Sequence, residues 1–280
     1  MTSISLHGRP TGFTSGAGRP GAVARARRIY DYRRMLRLLV ARDLKVRYAG
    51  SALGYVWSVL DPLLMSLVYW FVFTEIFKRQ VGYRPYIVFL LCGQLPWFWI
   101  NASISGCARA LRTESQMVRS TNVPREVWVL RVVVSKGTEY LFALPVLALF
   151  AIAYAKWPRI QILYMPLAIV MTLVLLTGIG LILAPLTVLV RDVERIIPVL
   201  LRVGFYFSPI LYSVHNIPKH LSLIASVNPI AGIMVLFRST FFPQELGWQY
   251  VEHSAIGCVV IFVVGVMVFA RLERPVLKEI

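Results

Sequence analysis

Six stretches of the chain stay apolar for twenty residues or more, approximately 52–77, 85–108, 128–154, 162–190, 193–213 and 250–270. About 20 helical residues cross the roughly 30 Å of hydrocarbon in a bilayer, and the longer stretches can tilt or project beyond it. Lipid offers no hydrogen-bond partners to an open strand edge, so segments of this kind span as helices. The pattern predicts an all-α integral membrane protein with six transmembrane helices.

Ahead of the first span, residues 29–48 alternate with helical period. Ile29, Tyr32, Leu36, Leu39, Val40 and Leu44 share one face, and Arg34, Arg37, Arg42 and Lys45 the other. The segment is too charged to span. It reads as an N-terminal amphipathic interface helix on the membrane surface, or as a solvated juxtamembrane helix. Residues 1–28, rich in Gly, Ser, Pro and Arg, are expected to form a disordered basic tail. The membrane domain takes up 49–272, and 273–280 reads as a short tail. The first span follows a long basic arm, so it is expected to insert as an uncleaved anchor.

Two connections are unlike ordinary loops. Residues 109–127 are polar and long enough for a short helix ending near Asn122 and Pro124. Residues 214–249 are apolar, with helical runs split at Asn228-Pro229, yet too short to span twice. They predict a re-entrant helix pair between the fifth and sixth spans, covered by other helices.

Composition agrees: 58% of residues are hydrophobic and only 15% charged, with a mean hydropathy of +0.67. The net charge of +17 would suit a nucleic-acid partner in a soluble protein. Here the Lys and Arg sit in the arm and at span ends, the pattern of topology control, and no nucleic acid is implied. With the N-terminus inside, 22 basic residues fall on the cytoplasmic side and 7 outside. Both termini are therefore expected in the cytoplasm. The cysteines Cys92, Cys107 and Cys258 lie in or beside apolar runs and read as packing residues.

No phosphate loop, zinc motif or nucleophile elbow occurs, and the four histidines have no ligand-spaced partners. No catalytic or metal-binding residue is expected, and any ATP-driven work would need a separate ATPase chain. Charges inside spans are the default functional candidates: Asp61, Glu139 and Arg202, with Lys136 one turn before Glu139 as a local ion-pair partner. Tyr55, Ser66, Tyr69 and Phe73 share a face of the first span, and Phe205 and Tyr212 a face of the fifth. Such a stripe can line a passage for glycans, by stacking rings on sugars, or pack within the protein. Asp192 and Glu194 form a D-x-E pair at the start of the fifth span. That pair is the one feature an intramembrane glycan-processing enzyme could use, and it sits beside Arg191 and Arg195.

Three segments carry a family resemblance: RDLKVRYAGSALGYVWSVLDPLL (Arg42 to Leu64), VRDVERIIPVLLRVGFYFSPILY (Val190 to Tyr212) and NPIAGIMVLFRSTFF (Asn228 to Phe242). In this order they resemble the permease subunits of polysaccharide-exporting ATP-binding-cassette transporters, the Wzm-like type-2 permeases. The Arg-rich composition is similar to actinobacterial members, such as a mycobacterial galactan exporter permease. Asp61 and Arg202 stand where the family usually carries Gln.

The resemblance implies a homodimer in a bacterial plasma membrane with two copies of a separate ATPase, which would bind the ATP and Mg. It implies a coupling helix with Glu114, Ser115, Gln116 and Met117 docked on that ATPase. A channel would run between the first and fifth helices, with an outer gate at Asn228 and Pro229. The substrate would be a polyprenyl-diphosphate-linked glycan, galactan or O-antigen-like. From charge alone, Arg42, Lys45 and Arg47 are candidates to meet its anionic head. A permease for a drug or other small molecule shares the fold class and is the alternative. A reporter enzyme fused to the C-terminus should be active only on the cytoplasmic side; periplasmic activity would overturn the topology.

Overall fold

The computed structural model describes residues 22–48, 54–76, 82–121, 123–218 and 226–279, without the side chains of 22–26, 48, 55, 58, 274 and 277. The described residues contain helices and no strand. Ten α-helices follow in order: α1 (Ala22–Asp31), α2 (Arg33–Tyr48), α3 (Trp57–Phe71), α4 (Tyr86–Thr113), α5 (Ser115–Ser120), α6 (Glu126–Ala153), α7 (Met165–Leu189), α8 (Asp192–Phe207), α9 (Pro229–Ser239) and α10 (Trp248–Glu279). Among the described residues, five helical stretches are long and apolar enough to cross a membrane: Val59–Ile76, Tyr86–Thr113, Glu126–Ala153, Ile160–Leu189 and Trp248–Glu273.

The expected span at 193–213 is not one long helix. α8 has 16 residues, about 24 Å at 1.5 Å per residue. It stops because Ser208 precedes Pro209, whose ring drives the preceding residue out of the helical region; Ser208 is extended at φ −90° and ψ 146°. The chain then turns through Ser208–Tyr212. The first span is also irregular: Pro62 lies inside α3, and a π-helical turn, Val72–Ile76, extends it. Of the expected re-entrant pair, α9 is described, while 219–225 lie outside the described residues.

Other boundaries moved. Residues 22–28, expected without order, are helical in α1, where Ala and Arg are good helix formers. The interface segment is two helices joined at Tyr32 rather than one. The expected tail at 273–280 continues α10 to Glu279.

α4 is the hub. It packs against α3, α6, α7, α8 and α9. Its residues from Ile87 to Trp97 are buried without interruption, which an apolar helix tolerates only when surrounded by protein. α7 and α10 form the tightest pair. A Cβ on Gly178 of α7 would fall 2.7 Å from the Phe262 backbone, and one on Gly265 of α10 would strike the Gly178 carbonyl. Small residues allow this approach, and dispersion across it replaces the hydrophobic drive that lipid removes.

Gly265→Val should therefore force the two helices apart, at a cost of about 1–3 kcal/mol. The expected readout is a lower melting temperature of the detergent-purified protein. An unchanged transition would show that the close approach contributes little.

Candidate functional site

At one end of the bundle, the α4–α5 corner is tied to α2 and α6 by a half-buried ion network. Glu114 sits between the two helices and turns its side chain inward, with Oε1 2.6 Å from Arg42 Nη2 and 2.9 Å from Arg131 Nη1. Arg131 Nε lies 3.0 Å from Asp43 Oδ2, an ion pair without hydrogen-bond alignment. Arg131 comes from α6 and is buried, and its guanidinium stands 5.5 Å from the centre of the Trp128 ring. Burial by itself would raise the Glu114 carboxyl. The hydrogen bonds and charges of Arg131, then Arg42, outweigh this and hold it below its usual range.

The four expected docking residues thus divide. Glu114 is committed to the protein interior and Ser115 is half-buried, whereas Gln116 and Met117 are exposed. Arg42 also reaches the Met117 sulfur at 3.5 Å. The candidate head-group residues divide as well. Arg42 and Arg47 are held by carboxylates, Arg47 by Glu139 at 3.1 Å, and Lys45 is exposed. Lys136 pairs with the same Glu139 oxygen at 2.9 Å, the local partner its spacing predicted.

The aromatic stripe meets between α3 and α8. Tyr69 stacks on Phe205 with ring centres 6.0 Å apart, and Trp97 of α4 packs on Phe205 at 5.6 Å. Ser66 and Phe205 are buried in the single chain, and Tyr69, Phe73 and Tyr212 are half-buried. The side chain of Tyr55 lies outside the described residues. α8 turns Ile196, Val199, Leu200, Val203, Tyr206 and Phe207 outward. Tyr206 and Phe207 were missed as candidates, although they continue the apolar side of α8.

At the opposite end, α9 holds the turn that follows α8. Asn228 caps α9, accepting from the Ile230 amide at 2.9 Å, with Pro229 at the first helical position. Asn228 also donates to the Ser208 hydroxyl at 3.0 Å, and its carbonyl accepts from Ser254 of α10 at 3.2 Å. At the other end of α9, Arg238 is buried. It donates to the Tyr212 carbonyl at 2.7 Å and to the Ile210 carbonyl, with its guanidinium 3.9 Å from the Phe89 ring centre. Tyr86 supplies a third clamp, to the Leu211 carbonyl at 3.0 Å.

Arg131 and Arg238 were not singled out from the sequence. Arg131 falls inside an apolar span, and by the rule that flagged Arg202 it could have been found. Arg238 lies in the apolar segment after the fifth stretch, where sequence places it outside any span, and only folding buries it. Among the described residues no group of three or more metal-ligating side chains occurs. The Glu194 of the D-x-E pair is engaged by Arg112 at 2.6 Å.

A chain of apolar helices with a polar corner at one end and a clamped, buried half-length helix at the other is the architecture of a membrane permease. The chain belongs to the ABC-2 type transporter family, whose pattern matches residues 34–242. It is 31% identical over 240 residues to the O-antigen export system permease protein RfbA of Klebsiella pneumoniae, covering 85% of this chain and 92% of that protein. It is 32% identical over 222 residues to RfbA of Myxococcus xanthus, covering 79% and 85%. It is 22% identical over 243 residues to the polysialic acid transport protein KpsM of Escherichia coli, covering 86% and 94%. These likenesses are those of a Wzm-like type-2 permease.

Arg131→Met should remove one of the two guanidiniums that hold the half-buried carboxylates Glu114 and Asp43, leaving Arg42, at a cost of about 1–3 kcal/mol. The expected sign is faster hydrogen exchange in the α2 amides. Because the Glu114 carboxyl is held below its usual range, its contribution is present at neutral pH and lost as pH falls below the ordinary carboxylate range. Exchange in α2 should follow that course in the wild type.

Proposed function

We propose that this chain is the membrane-spanning subunit of an ATP-driven exporter. It moves a polyprenyl-diphosphate-linked polysaccharide, galactan or O-antigen-like, from the cytoplasmic to the outer side of the plasma membrane. Two copies form the conduit and two copies of a separate ATPase drive it. Both termini lie in the cytoplasm, as the 22-to-7 distribution of basic residues favours. α8 with the turn after it completes a sixth crossing. α9 belongs to the outer re-entrant segment, with Asn228 and Pro229 at the gate.

The observation that carries this reading is the outward face of α8. Leu200, Val203, Tyr206 and Phe207 are exposed on a helix too short and too charged at its start to sit alone in lipid. A second copy would cover that face and the neighbouring exposed side of α3, where Leu64, Val68 and Phe71 lie. Tyr and Phe rings along such a seam suit the apolar faces of sugars, and Arg202, exposed on α8 beside Val203 and Tyr206, is the charge that a passing polymer would meet there. The names of the similar permeases, for O-antigen and polysialic acid, favour a glycan over a drug. On α5, exposed Gln116 and Met117 are the side chains available to an ATPase groove, and Glu114 serves by fixing the corner behind them.

Co-expressed with its ATPase in a strain lacking this chain, the wild type should restore surface glycan. Gln116→Ala combined with Met117→Ala should leave the complex assembled and hydrolysing ATP while export falls at least tenfold. Full export in that double variant would remove α5 from the coupling role. No surface glycan with the wild type would overturn the export reading.

A further inference from the structure

A cleft of about 130 Å³ opens between α2, α3, α4 and α6, away from the α3–α8 seam. Its walls include Arg47, Trp57, Asp61, Phe98, Lys136 and Glu139. The two faces of α4 separate it from the seam. Trp97 packs on Phe205, whereas Trp99, about 200° further round the helix, faces the cleft.

Ionisable residues at membrane depth are costly and persist where they are paired or used. Three of the four here are paired. Glu139 holds Arg47 at 3.1 Å and Lys136 at 2.9 Å. Asp61 is the fourth. It is exposed and has no ion-pair or hydrogen-bond partner among the described residues. One turn before it on the same face, Trp57 is 42% exposed, enough to present a ring to a ligand. Pro62, next to Asp61 in the cleft wall, supplies no N–H to the helix ladder.

Two cations and two carboxylates give the cleft no formal net charge, so it has nothing with which to attract a diphosphate. A bare carboxylate beside an indole face suits a neutral polyol. The carboxylate accepts from neighbouring hydroxyls, and the ring packs on the C–H face of the sugar. We propose that this cleft binds a neutral sugar residue of the glycan, with Asp61 as the hydroxyl acceptor and Trp57 as the stacking platform. The proposal rests on the export reading for the origin of the sugar. It departs from the earlier expectation that Arg47 meets the anionic head, because that guanidinium is held by Glu139.

The test uses the complex of the chain with its ATPase in lipid nanodiscs. Two probes are titrated and followed by tryptophan fluorescence: a polyprenyl diphosphate carrying a disaccharide, and the same polyprenyl diphosphate without sugar. The sugar-bearing probe should bind the wild type at least tenfold tighter. Asp61→Asn should abolish that margin, and so should Trp57→Ala, followed by displacement of a labelled probe; Trp57→Phe, which keeps a ring, should retain most of it. Equal binding of both probes to the wild type would overturn the proposal. So would an undiminished margin in Asp61→Asn, or equal weakening of both probes, which would mark a head-group site. In each of these cases surface glycan made by the wild-type chain would leave the export reading standing; its absence would remove that reading instead.

Discussion

A charge or a backbone amide placed among apolar helices must find its partner inside the protein, because lipid supplies none. The organisation of this chain follows from that constraint. Arg131 enters the bundle on α6 and draws Asp43 of α2 and Glu114 of the α4–α5 corner to it. Arg238 does the same at the other end, where backbone carbonyls of the turn after α8 serve as acceptors. Neither guanidinium could be lodged in lipid without its neighbours, so each one fixes the position of elements distant in sequence.

α2 is consequently more than a surface anchor. Arg42 and Asp43 bind it to the corner that carries α5, and Arg47 binds it to Glu139 beside the cleft. A displacement of α5 must either carry α2 along or break these half-buried ion pairs. In the proposed exporter this makes α2 a strut between the motor contact and the polar cleft. Its amphipathic sequence and its tertiary ties thus serve one arrangement.

Where the helices stop is governed by backbone chemistry. Pro209 ends α8 early and leaves carbonyls of the following turn without helical partners, and Arg238 of α9 satisfies two of them while Tyr86 of α4 takes a third. Asn228 at its start and Arg238 at its end both reach that turn. The short α8 and the buried α9 are two halves of one solution. That explains why the segment after α8 is apolar although it does not span.

The sequence alone determined the solvent, the helical class, the polar corner and the apolar segment after the fifth stretch. These depend on composition and local period, which need no knowledge of neighbours. The Lys136–Glu139 pair was legible for the same reason, since one helical turn separates its members. Only the tertiary structure decided that Glu114 and Arg47 are committed to ion pairs, that Ser66 and Phe205 are packed while Tyr206 and Phe207 face outward, and that Asp61 shares a cleft with Trp57 and Glu139. Those outcomes turn on which helix faces meet, most of them between segments far apart in the chain. Hydrophobic pattern in a membrane protein says little about this, because a face covered by lipid and a face covered by protein are equally apolar.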